Sequence, residues 1–289
     1  MEKARLSEMF DNLLHIGNKT NYWNPRMKSF IYGQTNGVHV INLVKTAEQT
    51  DIVIEQMQRL NAEGKKILFV ATKLQARDPF VKLAEETGNY YVTEKWVPGL
   101  LTNFRTIKKR ISTYLKLLKD SETGGFDMLT KKEKASQMLE LEKLDKAFKG
   151  LKEMKKIPEV VFVIDAEYES QAIKEANTLG ITCFAVANTN GDPLQVAEII
   201  PANTNSVKSL QYIAQTLKSG FKAPAKKAAI QVEEQEKISG APKKTHQKKE
   251  EVAEKPAKKE ATPKKASSSA KTTDDKPAKK APAKKTQEK

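Results

Sequence analysis

Apolar positions along this chain take two textures: short unbroken runs, and longer stretches in which they recur every three or four residues. The runs "KILFVAT" (66–72), "VVFVID" (160–165) and "CFAVA" (183–187) have the near-continuous hydrophobicity of strands buried on both faces, and "YYV" (90–92) reads as a shorter one. Between them, 45–61 carries Ile52, Val53, Met57 and Leu60 on one helical face and stops at Gly64. Helices are also predicted at 75–88, where Pro79 requires a place in the first turn, at 170–180, near 194–199 and at 206–218. Strands alternating with helices predict an α/β fold: a doubly wound, mostly parallel sheet with helices on both faces.

Before the first of these units the pattern is looser. Residues 7–15 read as a short amphipathic helix ending before Gly17. The stretch "NKTNYWNPRMKSFIYGQTNG" (18–37) has no helical period and reads as a loop. Asn36-Gly37 has hairpin-turn chemistry between "FIY" and "VHVINL", so a hairpin opening into a central strand is expected.

The alternation breaks between 90 and 160. Phe104, Ile107, Ile111, Tyr114 and Leu118 are spaced three, four, three and four apart, and Met138, Leu141, Leu144, Phe148 and Leu151 nearly repeat that pattern. Two such stripes around the loop "KDSETGGFDML" predict an antiparallel helical hairpin, inserted at 101–152, with Thr130 and Glu133 forming a capping box on the second arm. Its outward positions are basic: Arg105, Lys108, Lys109, Arg110, Lys116 and Lys119, then Lys131, Lys132, Lys134, Lys143, Lys146 and Lys149.

Charge completes the division of the chain. The formal net charge is +15, and residues 222–289 hold 20 Lys against 10 Asp or Glu, so they carry most of the excess. That segment is Lys, Ala, Pro, Glu, Ser and Thr, with "PAKK" starting at Pro224, Pro256, Pro277 and Pro282. With almost no large apolar side chains it is expected to be a disordered Lys-rich tail that neutralises phosphates without reading sequence, leaving 1–221 as the α/β domain. The basic balance favours polyanionic partners. A single cysteine, Cys183, permits no internal disulfide, and no run has the length of a membrane helix or a signal-peptide core, so a cytoplasmic chain without membrane association is expected.

Catalytic signatures do not fit: there is no G-x-G-x-x-G, no G-x-x-x-x-G-K-[ST], no H-E-x-x-H, no G-x-S-x-G and no C-x-x-C. His15, His39 and His246 are far apart, and His246 belongs to the tail. Asp165 ends a strand where α/β folds place functional carboxylates, but without a partner motif it reads first as a cap on the following loop or helix. No enzyme activity, cofactor or metal is expected. The stretch 18–37 has more to offer. Lys19, Arg26 and Lys28 sit among Asn24, Trp23 and Tyr22, which combines phosphate neutralisation, amide hydrogen bonding and rings that either staple the loop or stack on bases. A Rossmann-like enzyme and a free-standing basic nucleic-acid-binding protein are the competing readings of such a chain.

Three long segments narrow these options. "LLHIGNKTNYWNPRMKSFIYGQTNGVHVINLVKT", "KWVPGLLTNFRTIKKRI" and "MKKIPEVVFVIDAEYESQAIKEANTLGITCFAVANTNGDPLQVAEIIPANTN" resemble, in order and spacing, the signatures of the ribosomal protein S-two family, from about residue 3 to 218. "WNP-x-M" and "W-x-x-G-x-LTNF" are similar to its bacterial branch. The resemblance implies a non-enzymatic structural constituent of the small ribosomal subunit, lying between head and body and joining late in assembly. It would contact ribosomal RNA and neighbouring ribosomal proteins, help anchor protein S-one, and have no homo-oligomeric role. It also implies that Trp23 and Pro25 hold the first loop while Arg26 and Lys28 face RNA or protein, and that Thr102, Asn103, Arg105, Lys108, Lys109 and Arg110 lie near phosphates at the root of the hairpin. Members often carry a His/Asp cluster able to hold a divalent cation. Here Asn18, Asn188, Thr204 and Asn205 stand at positions of that cluster beside His15 and Asp192, so no high-affinity metal is expected and any docking that depends on the cluster is weakened. Pro98 replaces a common Gly and should stiffen the turn at Gly99.

Overall fold

The computed structural model describes residues 2–126 and 128–222. The expected tail lies outside them except for Lys222, and so do its PAKK repeats and His246. A five-stranded, all-parallel sheet forms the centre, from β4 (Ile67–Val70), β5 (Tyr90–Val92), β6 (Val160–Ile164), β7 (Thr182–Ala187) and β8 (Glu198–Pro201), in the order β5-β4-β6-β7-β8. β4 and β6 pair from Ile67↔Val160 to Val70↔Val163, and every residue of both strands is buried. Taken in chain order this is 2-1-3-4-5, a doubly wound sheet whose switch point lies between the carboxyl ends of β4 and β6.

Two apolar layers cover it. On one face α2 (Leu43–Ala62), α3 (Leu74–Thr87) and α7 (Val207–Lys222) pack over Phe69, Phe162 and Phe184, with Val53, Met57, Phe80, Leu210 and Leu217 filling the layer. On the other, α6 (Ser170–Thr178) and the root of the hairpin pack over Leu68, Val70, Val161, Val163 and Ala185. The hairpin itself is α4 (Phe104–Glu122) and α5 (Lys131–Phe148), and its capping box is formed from both sides: Thr130 accepts from the Glu133 amide, and Glu133 accepts from the Thr130 amide at 3.0 Å.

Several expectations are corrected. Residues 18–37 are mostly ordered secondary structure, not a loop. After α1 (Glu2–Asp11), which begins and ends earlier than the predicted 7–15, come β1 (Ile16–Lys19), a 3-10 helix (Pro25–Phe30), β2 (Ile31–Thr35) and β3 (Val38–Ile41). A six-residue 3-10 turn has too few positions to show a period, and a four-residue strand beside a bulge shows little alternation. Asn36 and Gly37 do turn the β2–β3 hairpin, both with positive φ (52° and 75°). β3 is central only in this separate antiparallel sheet, β1-β3-β2, and not in the parallel one.

Pro79 is the sixth residue of α3, past the first turn, because the helix starts at Leu74. The predicted helix near 194–199 is a 3-10 turn at Pro193–Gln195 followed by strand β8, whose buried Ile199 and Ile200 suit an edge of the sheet where Pro201 is tolerated. In α5 Met138 is 53% exposed, and partly buried Gln137 lies on the seam side with Leu141 and Leu144.

The hairpin joins the sheet through a close approach. A Cβ on Gly150 would stand 2.2 Å from the carbonyl oxygen of Tyr91 in β5. Gly150→Ala is therefore expected to lower stability by about 3 kcal/mol, since backbone has to shift to admit the methyl. Urea unfolding of the full chain checks this; an unchanged midpoint would show that the approach is looser.

Candidate nucleic-acid interface

The first group of site residues sits on the small sheet and its 3-10 helix. Asn24 caps that helix, its side chain accepting from the Arg26 amide at 3.0 Å, and its own amide donates to the Thr189 carbonyl at 2.8 Å. Thr189 also accepts through its hydroxyl from the Asn18 amide at 3.0 Å, so one buried residue after β7 latches the small sheet to the large one twice. Pro25 is exposed and starts the helix; the side chain that seats it is Met27, fully buried. Trp23 is tilted against buried His39, ring centroids 5.3 Å apart, with part of its surface open. Arg26 is exposed but paired, donating to Asp192 at 2.6 Å, while Lys19 and Lys28 face solvent.

The second group is organised by a residue that sequence reading missed. Glu175, on α6, is 4% exposed. Its Oε1 accepts from the Trp96 indole at 3.1 Å and the Gly99 amide at 2.8 Å; Oε2 accepts from the Leu101 amide at 3.2 Å and, at longer range, from the Thr102 amide and hydroxyl. The segment 96–102 is thus wrapped around one carboxylate. Within it Val97-Pro98-Gly99-Leu100 closes through a 3.0 Å hydrogen bond with Gly99 at φ 84°, so the Pro and Gly fit the two central positions of a type II turn. Burial pushes the Glu175 carboxyl up, but the Gly99, Trp96, Leu101 and Thr102 donors outweigh it and leave the group below its ordinary value. The sequence did hold a signal: a Glu on the helix face of buried Ala172, Ile173 and Ala176 needs such partners.

This clamp sets where α4 begins. Thr102 turns its hydroxyl inward to Glu175, and Asn103 accepts the first amides of the helix through its carbonyl. Arg105, Lys109 and Arg110 project outward and are exposed; Lys108 is exposed too, its ammonium donating to the Lys155 carbonyl at 3.2 Å. The site residues therefore form two outward basic groups on separate elements, each fixed from behind by the parallel domain.

The switch point itself is filled by the protein. Asp165 has φ 72°; its carboxylate accepts from the Glu167 and Tyr168 amides, as a cap does, and pairs with Lys73. Lys73 also donates to Thr204 at 3.2 Å and Asn205 at 2.7 Å, and Thr204 donates to Asp165 at 2.9 Å. Beside them Thr72 donates to Glu169, whose carboxyl is raised chiefly by burial. At the positions of the His/Asp cluster that the resemblance brings in, most side chains already have partners within the protein, His15 Nδ1 being without one. Thr204 and Asn205 are engaged by Lys73, Asp192 by Arg26, and Asn188 uses its oxygen on the Thr189 amide, leaving a donor nitrogen unpartnered. Among the described residues no group of three or more His, Cys, Asp or Glu is placed to hold a metal. Cys183 is a core residue, its thiol pushed up to about 12 by burial. No described helix is long and apolar enough to cross a membrane.

A family described as Ribosomal protein S2 matches residues 9–223. The chain belongs to the ribosomal protein S2 family. It is 42% identical over 213 residues to the small ribosomal subunit protein uS2 of Coprothermobacter proteolyticus, covering 74% of this chain and 80% of that one. It is 41% identical over 211 residues to the uS2 proteins of Mannheimia succiniciproducens and Pasteurella multocida, covering 73% of this chain and 87% and 88% of theirs. S2-family proteins are ribosomal proteins, not enzymes, which removes the Rossmann-like enzyme from consideration and leaves Asp165 with its capping and pairing role.

The clamp gives this S2-family chain a specific acid dependence. Because the folded carboxyl of Glu175 lies below its unfolded value, its contribution is complete above the ordinary carboxylate range and is lost as pH falls through the folded value. Glu175→Gln, which sets an amide group among donors, is expected to cost about 3 kcal/mol at pH 7, with the difference from wild type shrinking below about pH 4. Urea titrations of both proteins from pH 3 to 7 check it; a difference that does not change with pH would contradict it.

Proposed function

We propose that this chain is a structural constituent of the small ribosomal subunit that holds ribosomal RNA on two basic surfaces and meets neighbouring ribosomal proteins around them, between head and body, during late assembly and translation. The observation that carries the reading is the family match over nearly all described residues. The geometry supports where RNA is met. Lys19 on the small sheet and Arg26 and Lys28 on its 3-10 helix, with Trp23 and the Asn24 cap, form one surface; Arg105, Lys108, Lys109 and Arg110 at the hairpin root, with Thr102 and Asn103 just before them in the chain, form the other. Cations on rigid elements neutralise phosphates at little ordering cost, and such contacts fix position without reading bases. Ribosomal protein S-one is a further candidate neighbour. On this reading the chain acts bound to ribosomes in the cytoplasm, needs no cofactor and does not self-associate.

Sedimentation of a native lysate tests the assignment: the protein should travel with small subunits and whole ribosomes at constant ratio, and recovery in the soluble top fractions would overturn it. Replacing Arg105, Lys109 and Arg110 by Gln together should reduce the slope of log affinity for small-subunit RNA against log salt by about 2. An unchanged slope would move the RNA contact away from the hairpin root.

A further inference from the structure

Residues 12–47 contain no Asp or Glu, yet include Lys19, Arg26, Lys28 and Lys45. They span the whole small sheet and its 3-10 helix, so among the described residues the carboxylates that meet this region come from elsewhere in the chain, as Asp192 does for Arg26 and Glu167 for Tyr22. A surface built this way attracts a polyanion without repelling it at any point along its own backbone.

On that surface one aromatic ring is more exposed than the rest, Tyr22 included at 57% with its hydroxyl donating to Glu167 at 3.4 Å. Tyr32 is 80% exposed, while Trp23 leans on His39 and Phe30 is partly buried with the Lys45 ammonium 5.9 Å from its ring. The backbone explains why Tyr32 stands clear. Ile31 pairs with Ile41 and Gly33 with Val40, so two steps on β2 match one on β3 and Tyr32 is the extra residue of a bulge. A bulge re-aims its side chain out of the regular alternation. β2 is also an edge of its sheet, and the position of a Cβ on the next residue, Gly33, has nothing within 4 Å. The ring is therefore raised at an open margin with room beside it.

We propose that Tyr32 is a stacking post for an unpaired base of the RNA held by this surface, an assignment that rests on the RNA-binding reading above. Stacking suits the geometry because a base needs a free ring face and lateral room. It suits the charge because the flanking phosphates would lie over a surface whose own segment has no carboxylate. A protein strand added to the β2 edge would use the backbone instead and has less need of an exposed ring at a bulge.

The experiment measures binding of the full chain to deproteinised small-subunit ribosomal RNA over a series of salt concentrations, for wild type, Tyr32→Ala, Tyr32→Phe and Lys28→Ala. Stacking releases no counterions, so Tyr32→Ala should weaken binding about tenfold at every salt concentration with the slope unchanged. Tyr32→Phe should bind as wild type, and Lys28→Ala should lower the slope. Equal affinity of Tyr32→Ala and wild type overturns the proposal, as does a loss in Tyr32→Phe as large as in Tyr32→Ala, which would place the role in the hydroxyl. Normal RNA binding by Tyr32→Ala with poor incorporation into small subunits would assign the ring to a protein neighbour and also overturn it. If the wild-type chain has no salt-dependent RNA affinity, the RNA reading fails before any substitution is compared, and the stacking post falls with it. The exposure of Tyr32 makes the alanine variant safe to fold, and its urea midpoint confirms that.

Discussion

A carboxylate taken out of water costs several kcal/mol unless its oxygens are satisfied, and Glu175 takes all but one of its donors, the distant Gln171 amide, from the segment 96–102 closed around it. That condition ties three parts of the molecule together. α6 supplies the charge from the covered face of the sheet, Trp96 and the type II turn at Pro98-Gly99 supply donors, and Thr102 leads directly into α4. The long hairpin is anchored at both ends, because the residues that lead into it are held by hydrogen bonds to a buried charge and those that follow it are pressed against β5 at Gly150. Between the arms, Tyr114 donates to Asp145 and its hydroxyl is shifted well up, with burial the largest cause.

The small sheet is held by a different device with the same result. Thr189 accepts from Asn18 through its hydroxyl and from Asn24 through its carbonyl, and Met27 plugs into the apolar layer on the α6 side. Both outward surfaces are thus mounted on the carboxyl side or flank of one parallel sheet, while the crevice in which such sheets commonly bind ligands is closed by Lys73, Asp165, Thr204 and Asn205. On the function proposed above, the fold of this S2-family chain acts as a support for surface contacts, while its switch point is closed by internal pairing.

How much of this could be read beforehand follows from the range of the forces involved. The buried strands, the hairpin and the Thr130 capping box were legible because continuous hydrophobicity, a three-four period and a local cap are each encoded within a few residues. The segment 194–199 reads as helix in sequence because two isoleucines between a Pro-initiated turn and Pro201 carry no period that separates strand from helix. Periodicity likewise puts Met138 on the seam, since it cannot tell which neighbour faces the partner helix when Gln137 is long enough to serve. Arg26, Lys28 and Arg105 were visible as cations, but the pairing of Arg26 with Asp192, 166 residues away in sequence, was not. Glu175 was missed for the same reason: its donors lie more than 70 residues upstream, and only its place on an apolar helix face marked it.

The most direct test of this account is hydrogen exchange of the full chain, wild type against Glu175→Gln, read by peptide at pH 7. If the carboxylate holds the hairpin root, amides of 96–105 should lose protection by about 100-fold while β4, β6 and β7 keep theirs, because local opening there no longer breaks a charge-assisted network. Unchanged protection across 96–105, or a loss spread evenly over the parallel sheet, would contradict the claim that this one buried charge sets the hairpin in place.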